Sequence, residues 1–275
     1  MKTKTLILAS LTCLLAACAE DIDRPAQEYL TRAQHSFAQK QYHTAKLQID
    51  SIKALYPKAF DTRKQAHALL LQVELAESEA GKAYADSLLS DASAQVAPLT
   101  AKLHLDKDAR YQEVGTYYAP THRIEDNVSR SYLRPQVDER GACSIVAFYR
   151  GKPIQAHTLR FTATDGTFVE LEAAYESHVS SDALGRTERT DFVVAPDNNV
   201  ASFVALQQGK SVKATLVGKD GTVAITFAKA DAQALLTVCE LGAVLRSVSQ
   251  LQAQSQELER RIRFFTTRIE GDTVQ

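Results

Sequence analysis

The chain has 275 residues, of which 45% are hydrophobic and 24% are charged, a composition that is typical of globular proteins and excludes a wholly disordered chain. Lysine and arginine total 32 against 33 aspartate and glutamate residues, so a nucleic-acid binder, which usually carries a basic excess, is not favoured. There is no tryptophan and only one methionine, which argues against a Trp-lined sugar platform and against a Met-rich adaptable groove.

The first 18 residues have the order of a secretory signal. Lys2 and Lys4 form a short basic start, an uncharged apolar run follows over 6–17, and Cys18 comes next. The apolar run is shorter than the about 20 residues that a membrane-spanning helix needs, and it has the length of a signal-peptide core. The sequence therefore predicts a signal peptide over 1–17. No later segment is predicted to cross a bilayer.

The residues that end this run, Leu15-Ala16-Ala17-Cys18, resemble the lipobox of bacterial lipoproteins. The resemblance implies cleavage before Cys18, acylation of its sulfur with palmitate-type chains, and a mature chain that begins at this residue. Two or more acyl chains anchor a protein stably to a membrane, whereas one chain does not. We therefore expect residues 18–25 to form a lipidated tether. The alternative is an ordinary secretory signal with a chance cysteine.

The residues after Cys18 bear on the destination of such a lipoprotein. Ala19 is not the aspartate that retains enteric lipoproteins in the inner membrane, so the resemblance implies an outer-membrane location. Glu20 and Asp21 resemble a short form of the acidic export signal of surface lipoproteins of the Bacteroidetes. Their run is shorter than is usual in that group, so the periplasmic and the cell-surface faces both stay open.

Residues 26–105 are predicted to be helical almost throughout. The part over 26–57 resembles one tetratricopeptide repeat, with a turn at 39–41, or it is a generic amphipathic hairpin. Because a single repeat cannot bury its own core, the hairpin must pack on another part of the chain. The residues that carry the resemblance are Tyr29, Ala33, Tyr42, Ala45, Ile49 and Pro57.

The next helix carries a seam of mostly small residues at alternating spacings of three and four, which suits close helix contact. Its residues are Ala66, Leu69, Val73, Ala76, Ala80 and Ala83. Residues 106–141 are charged, contain glycine and proline, and are predicted to be an irregular crossing segment with at most short helices. Four tyrosines lie there and form either a contact surface or, as we favour, aromatic pins that hold a loop: Tyr111, Tyr117, Tyr118 and Tyr132.

Residues 142–229 alternate apolar and polar side chains with a period of two and are predicted to form an antiparallel β domain. Asp165-Gly166 between two alternating runs is a strong hairpin signal. A second hairpin is predicted around 218–221. Further strands are predicted near 143–149, 190–195 and 200–206.

Residues 230–272 are predicted to form one long helix with a narrow apolar stripe of coiled-coil type. The stripe consists of Leu241, Val244, Val248, Leu251, Ser255, Leu258, Ile262, Phe265 and Ile269. We favour packing of this stripe on the small-residue seam over 66–83, because large residues complement small ones. The alternative is that the stripe binds a partner or a second copy of the chain.

These patterns predict an α+β fold: an N-terminal helical hairpin and long helix, an antiparallel sheet or sandwich, and a C-terminal helix that packs back on the helical layer. No catalytic residue, metal site or cofactor is predicted, since the mature sequence lacks a Gly-x-Ser-x-Gly, a phosphate-binding Gly loop, a Cys-x-x-Cys and a His-Glu-x-x-His. Glu170 and Glu172 share a strand face, which a solvated sheet explains. Cys143 and Cys239 are either a disulfide or two buried thiols.

Three functions compete at this point. The first is a non-enzymatic envelope lipoprotein that binds or scaffolds other proteins through its helices. The second is a lipoprotein whose β domain binds a glycan or a peptide. The third, which the missing motifs disfavour, is a hydrolase. The expected partners are a membrane, through the lipid on Cys18, and an envelope protein, with no nucleic acid. The oligomeric state is left open.

Overall fold

The computed structural model describes residues 23–207 and 210–273. The predicted signal peptide, the lipidation site Cys18 and most of the tether lie outside the described residues. The described chain has an α+β fold with antiparallel sheets, which confirms the predicted fold class. It divides into two compact units, which we call the helical unit (23–81 and 258–273) and the β unit (82–257).

The described residues form five α-helices: α1 (Asp23–Ala38), α2 (Tyr42–Leu55), α3 (Phe60–Thr100), α4 (Val200–Leu206) and α5 (Lys229–Thr273). They also form ten strands: β1 (His104–Asp106), β2 (Thr116–Tyr118), β3 (Tyr132–Asp138), β4 (Cys143–Arg150), β5 (Ala156–Ala163), β6 (Phe168–Glu172), β7 (His178–Asp182), β8 (Gly185–Val193), β9 (Val212–Gly218) and β10 (Gly221–Ile225). The predicted helix over 230–272 is confirmed as α5. The boundary between the two units falls within α3 and within α5.

The helical unit is built on the hairpin of α1 and α2. The turn predicted at 39–41 is confirmed, and Lys40 adopts the left-handed conformation there, with φ of 58°. The apolar face of the hairpin is covered by the first turns of α3, which meets the requirement that a single hairpin must pack on something else. The buried residues of this core are Ala26, Leu30, Ala33, Ala45, Ile49, Ile52, Ala59, Ala66, Leu69 and Val73.

The prediction that the C-terminal stripe packs on the small-residue seam names the wrong face of α3. Ala66, Leu69 and Val73 pack in the hairpin core instead. Ala80 and Ala83, at the other end of the seam, are exposed. The physical reason is that Ala66, Leu69 and Val73 complete the apolar core of the hairpin, so this face of α3 is buried against α1 and α2.

Within the helical unit, α3 contacts α5 through Glu74 and Gly81, which each follow a residue of the seam by one position. A Cβ on Gly81 would lie 3.5 Å from Cδ2 of Leu258, an ordinary van der Waals contact. Arg261 of α5 donates a hydrogen bond of 2.7 Å to Glu74 of α3. The packing of α5 on the helical layer is therefore confirmed. The stripe residues in this unit, however, are only partly buried.

The β unit contains two antiparallel sheets. In the first sheet the strand order is β1-β2-β3-β4-β8-β7, and in the second it is β10-β9-β5-β6. One apolar cluster takes residues from both sheets and from the first turns of α5, so this part of the stripe is core. Its most deeply buried members are Leu133, Val137, Ile145, Leu159, Phe161, Phe192, Leu216, Leu235, Val238 and Leu241.

The polar residue inside the stripe has a specific partner in the β unit. Ser255 is buried, and its hydroxyl donates a hydrogen bond of 2.5 Å to Oδ1 of Asp86 on α3. This bond and that of Lys82 lower the pKa of Asp86. Ser255 therefore fits a close contact between α3 and α5.

Two predictions about local structure are wrong. The segment over 106–141 is irregular only in part, because it supplies β2, β3 and part of β1 to the first sheet. Its charges and Pro135 hid the strands, since proline in a central strand is uncommon. The segment over 200–206 is the helix α4, which follows the left-handed Asn199, and not a strand.

Both predicted hairpins are confirmed. Gly166, with φ of 86°, lies in the turn between β5 and β6. Gly218 and Gly221 flank the tight turn between β9 and β10. The strand near 143–149 is confirmed as β4, and the one near 190–195 is the second half of β8.

By length and composition alone, α5 is long and apolar enough to cross a membrane, with a mean hydropathy of 1.3 over an 18-residue window. This corrects the expectation that no segment after the signal peptide has these properties. Leu235, Val238 and Leu241 of α5 are fully buried in the core of the β unit. Of the apolar window as a whole, 33% is buried within the fold.

The close contact between α5 and β4 leads to a stability prediction. A methyl group at Gly242 would overlap Sγ of Cys143 and lie 3.1 Å from the carbonyl oxygen of Gly141. We expect Gly242→Ala to lower the free energy of unfolding by about 1–3 kcal/mol in urea titrations, because overpacked cores lose about this much. Gly271→Ala on the same helix is the control, since nothing lies within 4 Å of its added Cβ. Equal stability of the two variants would contradict this packing.

Candidate functional site

The two cysteines within the described residues, Cys143 and Cys239, are both free thiols in the structure. Cys143 is buried at the start of β4, and Cys239 is partly buried on α5. A hydrogen bond between the two thiols lowers the pKa of Cys143 and raises the pKa of Cys239, and Arg246 adds to the lowering. The sequence left open a disulfide or two thiols, and the structure has two thiols.

The tyrosines of the crossing segment divide into buried and exposed residues. Tyr118 and Tyr132 are buried, which confirms for them that the aromatics hold the segment to the sheet. The guanidinium group of Arg134 lies 4.7 Å from the ring centroid of Tyr118 and 5.2 Å from that of Phe148. Burial lowers the pKa of Arg134 and raises that of both tyrosines. Tyr111, in contrast, is 81% exposed.

The sequence also singled out a pair of carboxylates on β6. Glu170 forms a salt bridge of 2.6 Å with Arg160 on the neighbouring strand, which fits a solvated sheet face. Glu172 has a different environment, because it accepts hydrogen bonds from the hydroxyl of Thr158. The pair is therefore split between a surface ion pair and a polar cluster.

That polar cluster lies in a concave surface of the β unit with a volume of about 430 Å³, which we call the β groove. Most of its lining is polar or charged. It is lined by Gln155, Ala156, His157, Glu172, Ala173, Tyr175, Glu176, Ser177, Val179 and Lys219.

A β-bulge places His157 in the β groove. The pairing of β5 with β9 shifts between Ala156 and Thr158, so His157 is the extra residue. Nδ1 of His157 lies 2.8 Å from Oγ1 of Thr158, and Oγ1 lies 3.1 Å from both carboxylate oxygens of Glu172. Since a carboxylate only accepts, the Thr158 hydroxyl donates to Glu172 and accepts from Nδ1–H of His157. Because this network places the hydrogen of the neutral His157 ring on Nδ1, Nε2 is an acceptor that a ligand can use.

A buried carboxyl group on the other sheet holds the chain that leads into this bulge. Glu188 of β8 is 1% exposed, and its oxygens accept 2.6 Å hydrogen bonds from the backbone N–H groups of Ile154 and Ala156. Gln155, between them, adopts the left-handed conformation with φ of 55°. A side chain at Gly218 would overlap the carbonyl of Ile154, so only glycine permits this approach. Such strained backbone and bulges are common beside functional sites.

The side chains of the β groove suit a polar ligand better than a metal ion. The described residues contain no group of three or more His, Cys, Asp or Glu side chains that could hold a metal. His122, the one buried histidine in the described ranges, bonds Asp231 at 2.9 Å and is part of the fold. The β groove instead combines acceptors, donors and an aromatic ring, since Tyr175 is 80% exposed.

A second concave surface, which we call the helical groove, lies between α2 and α3 in the helical unit. Its volume is about 400 Å³. Its floor is apolar, while Phe60 stands 73% exposed at its edge. It is lined by Ile49, Asp50, Ile52, Lys53, Phe60, Arg63, Lys64, Ala66, His67 and Leu70.

The edge of the helical groove is positively charged. Lys53, Arg63 and Lys64 face one acidic residue, Asp50. Arg63 also donates a 2.7 Å hydrogen bond to the carbonyl oxygen of Pro57, which fixes the connection between α2 and α3. The helical groove thus offers an apolar floor beside cationic side chains.

Comparisons with protein-family models, with curated proteins and with solved structures give no match. The likenesses to a lipobox and to a tetratricopeptide repeat therefore remain resemblances of short segments.

Proposed function

We propose that the chain is a lipid-anchored protein of the bacterial cell envelope that acts, without enzymatic activity, as a protein-interaction module. The order of basic start, apolar run and Cys18 supports the anchor. Because α1 begins at Asp23, the anchor would be only five residues from the helical unit. An outer-membrane location follows from Ala19, with the periplasmic and cell-surface faces equally compatible.

The helical groove carries the proposal of protein interaction. Phe60 stands exposed beside a concave apolar floor, and an amphipathic segment of a partner binds a groove of this kind with its apolar face. Three cationic side chains against one carboxylate favour a negatively charged partner. We therefore propose that the helical groove binds an acidic amphipathic segment of another envelope protein, with apolar side chains on the floor and carboxylates at the edge.

The anchor is tested by Cys18→Ala. Without the sulfur there is no site for acylation, so we expect the variant to lose labelling by a palmitate analogue and to move from the membrane to the soluble fraction. Cys13→Ala, within the apolar run, is the control and should leave both properties unchanged. A Cys18→Ala protein that still carries label and sediments with membranes would contradict the lipid anchor.

The interaction is tested by a photo-crosslinking amino acid placed at Phe60 in living cells. We expect discrete adducts with an envelope protein, and we expect Lys53→Glu with Lys64→Glu to remove them, because the reversed charges repel an acidic segment. The same crosslinker at Phe168, which is 57% exposed in the β unit, is the control. Adducts that are identical at both positions, or that survive the charge reversal, would contradict binding in the helical groove.

A second candidate function is that the β unit binds a glycan or a peptide. The observation that favours it is the β groove, where an exposed tyrosine, a histidine with a free nitrogen and two carboxylates converge. The two functions are compatible, since they use residues of different units.

A further inference from the structure

We infer that the β groove is a binding site for a neutral saccharide, an inference that rests on the second candidate function above. Saccharide sites present hydrogen-bond donors and acceptors to hydroxyl groups and an aromatic ring to the apolar face of the sugar ring. In the β groove Glu172 and Glu176 supply acceptors, Lys219 supplies donors, and Tyr175 supplies the ring. The amide nitrogen of Gln155 donates one hydrogen bond of 2.8 Å to Asp220 and has a second hydrogen for a ligand.

Tyr175 is the residue expected to make the largest contact. With 80% of its surface exposed, its ring is open to stacking, and a tyrosine combines an apolar body with a polar hydroxyl. The chain has no tryptophan, so stacking on a sugar falls to tyrosine or phenylalanine.

His157, Thr158 and Glu172 form a preorganised set of polar atoms. Thr158 is buried, and its hydroxyl is committed to Glu172 and to Nδ1 of His157. Nε2 of His157 then accepts from a hydroxyl group, while the outer lone pairs of Glu172 accept from a neighbouring one. Because these side chains are already held in place, binding costs little conformational entropy.

Two backbone N–H groups beside the β groove are already hydrogen-bonded within the protein. The N–H of Ala173 donates to the carbonyl of His157, and the N–H of Ala174 donates to that of Asp191, both at 2.8 Å. These two groups are therefore not free to bond a ligand, so the contacts that the β groove offers at this point come from side chains.

The charges argue for a neutral ligand. Glu172 and Glu176 carry two negative charges against one positive charge on Lys219. An anionic sugar or a phosphate would be repelled, whereas hydroxyl groups donate readily to carboxylates.

Titration calorimetry of the full-length protein in a sugar-free detergent tests the inference. The probes are neutral trisaccharides built from glucose, mannose, galactose, xylose or N-acetylglucosamine. We expect at least one to bind saturably with a Kd of about 1 mM or tighter. We expect Tyr175→Ala to weaken that binding at least about tenfold, and Glu172→Gln at least about fivefold.

Tyr111→Ala is the matched control, because Tyr111 and Tyr175 are almost equally exposed in the β unit. It should leave the affinity unchanged. Absence of binding by all five probes at about 10 mM, or binding that Tyr175→Ala leaves intact, would overturn the inference. The crosslinked adducts expected at Phe60 do not depend on Tyr175. Their presence or absence therefore tests binding in the helical groove alone.

Discussion

The two hydrogen bonds that the carboxyl group of Glu188 accepts are the constraint on which the β unit depends most. Glu188 belongs to the first sheet, while Ile154 and Ala156 lead into β5, a central strand of the second sheet. A buried carboxyl group is costly unless its hydrogen bonds are satisfied. The position of the start of β5 relative to β8 is therefore fixed, and with it the bulge that turns His157 toward Thr158.

In the long helices, small residues let neighbouring elements approach closely. In the helical unit Gly81 gives Leu258 space, and in the β unit Gly242 gives space to Sγ of Cys143. The first half of α5 is buried in the core of the β unit. The stripe residues of α5 in the helical unit are only partly buried. The apolar pattern of one helix therefore packs in two different environments.

The sequence was sufficient where a local pattern decides the structure. Asp165-Gly166 marks a hairpin because the turn needs a residue with positive φ, and the stripe marks α5 because its period is helical. The predicted contact face of α3 differs from the observed one by one residue position. The observed face contains Gly81 and Glu74, and neither residue type stands out in an apolar pattern. The strands over 116–118 and 132–138 were missed because Pro135 and the surrounding charges are typical of loops.

The candidate site was harder to predict than the fold, for a related reason. Glu172 was singled out, but as one of two solvated carboxylates. Glu188 lies among polar residues and looks exposed, and its burial depends on a contact 32–34 residues away in sequence. His157 was not singled out from the sequence, because its position depends on a bulge. Such features arise from the pairing of strands, which composition and periodicity do not reveal.

Amide hydrogen exchange at Ile154 and Ala156, measured by NMR, is the most direct test of the role of Glu188. If the carboxyl group holds both N–H groups, they exchange as slowly as the core amide of Ile145, although Gln155 between them is strained. In Glu188→Gln both should exchange at least about tenfold faster relative to Ile145, while Glu170→Gln should change neither. Wild-type exchange at these two amides as fast as in the exposed turn at Gly166 would contradict the account.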